Sequence, residues 1–440
     1  MSQPTARGAE AHPDSGARGV RFDGRFLFLY DDVPAIAAQI AGQDLPWQPG
    51  RALVDNISTD ELTPGWVCFH FDETLGEYPL VGLRGGAIGP GDIKSGGFAV
   101  IVSGKSKGCG SSRETAPYSE QAAGIRLVIA ETIEKIYRNN CHNIGLLTST
   151  DFGLIERIQS GETIPLEEFT RGLDPVAAEV VRRGGLFAYN RARLAGEVQP
   201  PPMETAERPM TLVEKVIARN AIVDATKGTI GVAAVAPGDA VFVRTGVRFS
   251  HDYTTAMGQA AFYAALGADA KVMRPERVFA FRDHLTFLGG VMSDEHRAMG
   301  LLEKAQALAD IQRQFCASQG IRLYDENAEG GGSEAICHNA VLEDLALPGE
   351  IVVGTDSHTC TAGALGCFAW GVGSSEMANS WYTDDVRVRV PASVRIELTG
   401  ALPNGVTAKD VMLHLMALPY IRDGHSIAKV LEFRGPGIAS

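Results

Sequence analysis

The sequence predicts an α/β fold built in two halves, and three observations carry that prediction. Short apolar runs rich in Val and Ile alternate with longer stretches of helix formers along the chain, the rhythm of strand–helix–strand units. Polar clusters containing His and Asp follow directly on several of those runs, where ligands gather in open α/β sheets. Three consecutive prolines, Pro200-Pro201-Pro202, fall near the middle. They stiffen the backbone and cannot join a sheet interior.

Taken in order, residues 1–18 hold Pro4, Gly8, Pro13 and Gly16 with few apolar side chains, and are expected to be a disordered leader. From Val20 the pattern becomes compact. Residues 50–60 read as a strand running into a polar turn, where Asp55, Asn56 and Asp60 suit Asx-type hydrogen bonding. A strand is expected at 98–102 and a helix at 115–123. Between them lies the loop Gly108-Cys109-Gly110-Ser111-Ser112-Arg113-Glu114. Its glycines permit a sharp turn. Its two hydroxyls and guanidinium, beside free N–H groups at a helix start, suit a multiply charged carboxylate or phosphate. The same residues also spell a capping box, Ser111 with Glu114 three positions on. Next come a short buried strand at 126–130, a helix at 131–139 and an apolar piece at 144–147. A polar stretch from Asn190 leads into a linker over 196–210. The second half opens on a capped amphipathic helix at 211–217. Strands follow at 240–243, 278–281, 321–324 and 351–353, with helices at 256–266 and 293–318.

A length of 440 residues allows two or three domains with sizeable cores. Hydrophobic content of 45% and charged content of 21% fit a soluble globular protein. The 50 glycines exceed the typical ~7%, so many tight turns are expected. A net charge of −13 argues against nucleic acid as a partner. It leaves an anionic substrate open, because a few local arginines decide that. The seven cysteines are unevenly spaced and form no CxxC, which predicts reduced thiols in a cytoplasmic protein. No apolar stretch reaches transmembrane length and the N-terminus is not signal-like, so no membrane partner is expected.

Four polar clusters carry the candidate chemistry: His251-Asp252, Asp283-His284, His338 and Asp356-Ser357-His358. A lone histidine is usually structural, but four such clusters at strand ends weaken that reading. An Asp beside a His fixes its tautomer and raises its basicity, which suits proton transfer. A His/Asp metal site is the alternative. The nearby Cys337, Cys360 and Cys367 match no ordinary zinc spacing. Each reads as a small buried hydrophobe.

The run Asp356-Ser357-His358-Thr359-Cys360-Thr361-Ala362-Gly363-Ala364-Leu365-Gly366 resembles the DSHT signature of the aconitase superfamily, in the form found in isopropylmalate isomerase and homoaconitase large subunits. The loop Gly108 to Glu114, preceded by Asp55-Asn56 and Thr59-Asp60, resembles the small-subunit swivel domain of the same enzymes. The resemblance covers about 50–200 and 211–440, small subunit first, the reverse of single-chain aconitases. It implies a swivel-type β/α domain over 19–195. After the linker it implies an aconitase-type α/β/α three-layer domain over 211–440, truncated at its C-terminus relative to the family.

The resemblance further implies a hydro-lyase acting on a small 2-hydroxy di- or tricarboxylate, either 3-isopropylmalate dehydratase-like or aconitase-like. Ser111 would be the catalytic base, and Ser112 and Arg113 would hold substrate carboxylates. Asp283, His284, His338, Asp356 and His358 would orient substrate and relay protons to the departing hydroxyl. His251, Ser357 and Asp60 would bind substrate. The family's [4Fe-4S] cluster would act as Lewis acid. Its three cysteines, one alone and two as CxxC, lie downstream of the DSHT region in the family, and none is found here. No metal ligand is therefore assigned, and a second chain carrying the cluster domains is the expected partner. The stretch where small subunits carry a specificity loop reads Pro64-Gly65-Trp66-Val67-Cys68-Phe69-His70, with no arginine. That leaves the substrate side chain open. The alternative is a catalytically silent or partner-dependent half-enzyme.

Overall fold

A computed structural model describes residues 19–110, 114–327 and 331–439. The chain forms two compact units. One draws on the chain up to Pro201 and on Thr245–Val386; the other comprises Pro202–Arg244 and the chain from Arg387.

The first unit holds two parallel sheets. Strands β1 (Arg25–Phe28), β2 (Phe98–Ser103), β3 (Leu127–Ala130) and β4 (Leu147–Ser149) pair in that order, all parallel. Every residue of β2 is buried, as a parallel strand covered on both faces requires. Alternation sends Leu27, Ile101 and Val128 into one core with Ile57 and Tyr137. It sends Phe28, Val100, Val102 and Ile129 into another with Leu154 and Phe169. Helices α1 (Thr115–Ala122) and α2 (Lys135–Ile144) follow β2 and β3. Sequence reading placed the second of these helices at 131–139. The register differs because residues before it are extended: Lys107 N donates to Thr132 O and Glu134 N to Lys107 O.

The polar residues leading toward the linker lie within a helix, α3 (Leu186–Leu194). There the buried Arg193 donates to both oxygens of Asp385 at 2.7 and 2.9 Å, and Asn190 Nδ2 donates to Asn379 Oδ1 at 3.0 Å. Those partners are distant in sequence, so the stretch alone reads as solvated.

The second sheet runs through β5 (Val247–His251), β6 (Val278–Phe281), β7 (Arg322–Tyr324), β8 (Ile351–Gly354) and β9 (Phe368–Gly371), in spatial order β7-β6-β5-β8-β9, all parallel. Phe249, Phe281 and Val352 pack with Cys337 and Val341. Helices α4 (Thr255–Leu266), α5 (Leu301–Gln319) and α6 (Ser374–Thr383) accompany the sheet. Ala256, Leu301 and Leu308 form a cluster with Phe69, whose partly buried rim includes Trp66. The helix expected over 293–318 is broken. Ser293 caps a short helix Asp294–Ala298, Gly300 takes φ 71°, and α5 starts afresh.

In the second unit Thr211 caps the helix Leu212–Asn220 through a capping box with Glu214, as its sequence suggests. Strands Ser393–Glu397 and Val430–Arg434 form a parallel pair. Among the described residues no helix is long and apolar enough to cross a membrane.

Candidate active site at the carboxyl ends of the second sheet

Three neighbouring strands deliver the polar clusters. β5 ends on His251 and is followed by Asp252; β6 leads into Asp283-His284; β8 leads into Thr355-Asp356-Ser357-His358. His251 pairs with Phe281 in register and Phe249 with Gly354, so β5 and β6 end level and β8 ends two residues short of them. At a strand spacing of roughly 4.8 Å, side chains just past those ends must meet. His338, from the short helix Cys337–Ala340, joins them.

Asp356 is the hub. Its Oδ1 accepts the His358 amide N–H at 2.7 Å and lies 2.9 Å from His338 Nε2 and 3.2 Å from His358 Nδ1. Its Oδ2 lies 3.4 Å from His284 Nε2. The other nitrogen of His284 is 2.8 Å from Asp283 Oδ1, and Asp283 Oδ2 accepts the Cys337 amide at 2.7 Å. His251 stacks on the His284 ring at 4.0 Å, 16° from parallel. Asp252, fully buried beneath, accepts the Leu285 amide at 2.9 Å. The Thr254 and Thr355 hydroxyls meet at 2.6 Å. The Ser357 hydroxyl lies 3.3 Å from His358 Nδ1, and both residues are exposed.

The electrostatics follow from these contacts. Burial alone would raise Asp283, but the His284 ring and the Cys337 N–H outweigh it and hold the carboxyl at about 2. Burial likewise opposes the observed direction at Asp356. The His358 amide and the charges of His251, His338 and His284 bring it to about 2. For His284, burial would lower the pKa. The hydrogen bond and charge of Asp283, with Asp252 and Asp356, raise it to about 9. At neutral pH His284 is therefore an imidazolium held between two carboxylates, with both ring nitrogens donating.

Two sets of three converging side chains have the donors to hold a metal ion: His251, Asp252 and His284, and His338, Asp356 and His358. Four of the seven cysteines do not suit an iron–sulfur cluster, whose ligands are thiolates, while Cys68 and Cys109 are part-exposed and Cys360 is exposed. Cys141, Cys316, Cys337 and Cys367 are buried, and burial raises the pKa of each. The Cys367 thiol donates to Leu347 O at 3.2 Å.

Ser111, Ser112 and Arg113 lie outside the described residues. The start of their loop is well placed against the 57–62 turn. Gly108 and Cys109 N–H donate to Ile57 O at 2.8 and 3.2 Å, and Thr59 N–H to Cys109 O at 2.8 Å. Asp60 is exposed in the first turn of the helix Thr59–Leu62, which Ser58 and Glu61 cap reciprocally. Behind Gly108 the buried Lys107 donates to Glu120 at 2.8 Å, and the Tyr137 hydroxyl donates to the same carboxylate. Ser111, the other member of the capping box suggested with Glu114, lies outside the described residues. Glu114 Oε2 accepts the Ser375 amide at 2.6 Å, and its Oε1 has no partner among the described residues.

The structure thus brings together His251, Asp283, His284, His338, Asp356, Ser357 and His358. Sequence reading passed over Thr254 and Thr355 and gave Asp252 and Glu114 no separate role in the site. Asp252 was visible only as the neighbour of His251, and Glu114 only as a cap. The threonines carried no signal.

Comparison with known proteins adds the following. The model of the Aconitase family (aconitate hydratase) matches residues 222–440, and that of the Aconitase C-terminal domain matches 92–150. Among curated relatives, 3-isopropylmalate dehydratase large subunit 1 of Pyrococcus furiosus is 34% identical over 227 residues, 51% of this chain and 47% of that protein. The chloroplastic large subunit of the same enzyme from Arabidopsis thaliana is 31% identical over 238 residues, 52% of this chain and 42% of that protein. The probable methanogen homoaconitase large subunit of Methanothermobacter thermautotrophicus is 34% identical over 234 residues, 52% of this chain and 48% of that protein. The chain spans about half the length of these curated relatives. A crystal structure of 3-isopropylmalate dehydratase (leuD) from Methanocaldococcus jannaschii matches 32% of this chain and 91% of that chain at 27% identity, with a TM-score of 0.25. The DSH run at the end of β8, the parallel sheet that displays it and the two family matches agree: this chain belongs to the aconitase superfamily.

Proposed function

We propose that this chain carries the substrate-holding and proton-transfer groups of a hydro-lyase that removes and restores water on a 2-hydroxy di- or tricarboxylate, 3-isopropylmalate dehydratase-like or aconitase-like. The observation that carries the reading is the Asp356 carboxylate ringed by His284, His338 and His358, with Asp283 behind His284. Hydroxide is a poor leaving group, so dehydration needs an acid at the C–O bond. His284, charged at neutral pH and steadied by two carboxylates, is that acid. Asp356 links it to His338, through which His284 is reprotonated after dehydration; in the hydration direction neutral His284 takes the proton back from the attacking water. His251 and Ser357 border the same space and orient the substrate.

The base is read from the family resemblance. Ser111 takes the proton alpha to a carboxylate, the electron pair forms the C=C bond, and the hydroxyl departs as water with the His284 proton. A serine alkoxide needs a positive, water-poor setting, which Arg113 and free N–H groups at a helix start would supply. Ser112 and Arg113 bind carboxylate, and Asp60 contributes from the adjoining turn. The Aconitase C-terminal match at 92–150 supports reading 19–195 as a swivel-type domain joined through 196–210 to the aconitase-type half. The superfamily typically carries a [4Fe-4S] cluster. The buried Cys141, Cys316, Cys337 and Cys367 do not fit its seat, and the family's lone cysteine and CxxC are not found in this sequence, so the cluster is read as supplied by missing or partner segments and this chain as a partner-dependent half.

The test is steady-state dehydration of 3-isopropylmalate, homocitrate and citrate by the chain completed with its cluster-bearing partner. Ser111→Ala should retain substrate binding and lose at least ~10²–10⁴ in turnover. Arg113→Lys keeps the charge but loses the bidentate fork, and should chiefly raise KM. A Ser111→Ala protein that melts lower by the ~0.5–2 kcal/mol of a lost cap yet turns over normally refutes the serine base.

A further inference from the structure

Glu114 is a carboxylate in an unusual place. It is 4% exposed, and no Lys, Arg or His pairs with it among the described residues. Burial raises its pKa, and the N–H and hydroxyl donors of Ser375 with the Ser374 amide pull it partly back. Its carboxyl group is met by the start of α6. The Ser375 amide donates to Oε2 at 2.6 Å. That helix has ten residues and no side-chain cap of its own, since its N-cap is Gly373. Glu114 therefore supplies, from 261 residues away in sequence, the acceptor that an N-terminal Ser, Thr or Asp ordinarily provides.

Two glycines show how closely the parts are fitted. A Cβ at Gly373 would sit 2.7 Å from Glu114 Oε2 and 3.1 Å from Asn140 Oδ1. A Cβ at Gly371, two residues earlier, would sit 2.7 Å from the Asp356 carbonyl oxygen. Val372 N–H donates to Gly354 O at 2.9 Å. The strap 371–375 thus runs from the back of Asp356 to the carboxyl of Glu114 at the start of α1.

We propose that Glu114 is a positioning residue: from the start of α1 its carboxyl group holds the strap 371–375 behind Asp356, fixing Asp356 against the histidines it pairs with. The proposal rests on the hydro-lyase reading for its purpose, but the clamp itself is testable without turnover.

The experiment is hydrogen exchange by mass spectrometry on the full chain, comparing wild type with E114A, E114Q, G373A and E114A/G373A, and calorimetric binding of 3-isopropylmalate and citrate to each. In E114A, exchange should quicken about tenfold at the amides of 374–376 and 356–358 while β3 in the first sheet is unchanged. G373A should reproduce that pattern, because its methyl displaces the carboxylate. E114A/G373A should be no worse than E114A, since the two act on one contact. E114Q keeps an oxygen acceptor for the Ser375 amide and should restore near-wild-type exchange. Carboxylate binding should weaken in E114A and G373A and return in E114Q. Unchanged exchange at 356–358, additive effects of the two substitutions, or a uniform rise across the chain would each overturn the clamp. A coupled exchange pattern in a wild-type chain that binds neither carboxylate even when completed with its cluster-bearing partner keeps the clamp and removes the hydro-lyase reading.

Discussion

His284 concentrates the electrostatics of the site, and its pKa carries a stability consequence with a definite sign. An ordinary histidine titrates near ~6.5; here the group stands at about 9. A raised folded-state pKa means the charged form is favoured by folding. The contribution is fully present below the unfolded value and fades as pH rises through about 9. Asp283 and Asp356, held at about 2, act in the opposite sense. Their contribution is present above the usual carboxylate value and is lost as pH falls through about 2. Chemical denaturation across pH should show wild-type stability declining between neutrality and pH ~9, and H284N should flatten that limb. A variant with the same alkaline slope as wild type would mean that His284 is not charged in the folded chain. The four His clusters were legible in the sequence because strand ends attract ligands. The pairing of His284 with two separate aspartates was not, since Asp283 is adjacent and Asp356 is 72 positions away.

The element that most depends on its exact residues is the turn into the candidate anion loop. Gly108 has φ 81°, and the ring of Tyr137 occupies the place of its Cβ. Gly161 has the same φ of 81° but open space around it. The pair separates backbone strain from steric exclusion. Gly161→Ala should cost about 1–3 kcal/mol, the price of an unfavourable backbone region. Gly108→Ala should cost distinctly more, since it also displaces Tyr137 from the buried Lys107–Glu120 pair. Thermal melts of both variants check this; equal losses would show that the ring simply moves aside. At this scale strand cores were the most readable features, because β2, β6 and β8 are buried at every position and write continuous apolar runs. Helix starts were less so. The onset of α2 shifts because residues 132–134 pair with Lys107, and the break at Gly300 divides one long pattern of helix formers.

Across the whole molecule, chain order and spatial order part company. The proline-rich stretch marks a change of unit near Pro201, yet the first unit is completed by residues from Thr245 onward. No local pattern announces that return, because its evidence lies in contacts between distant segments: Arg193 with Asp385, Asn190 with Asn379, Glu114 with Ser375, and Phe69 within the cluster around Leu308. A prediction follows for limited proteolysis. Residues 201–210 form no regular structure and are mostly exposed, so cleavage should begin there. The nicked chain should nonetheless stay together. Separating its pieces would break the buried Arg193–Asp385 pair and expose to water the apolar cluster that Phe69 joins. Denaturing electrophoresis should therefore show two fragments, and native gel filtration of the same sample a single species eluting with the intact chain. An Arg193→Ala variant, nicked in the same way, should dissociate more readily. Two separate native peaks from the nicked wild-type chain would mean that the halves fold and stand alone, and that the contacts named here do not hold the first unit together.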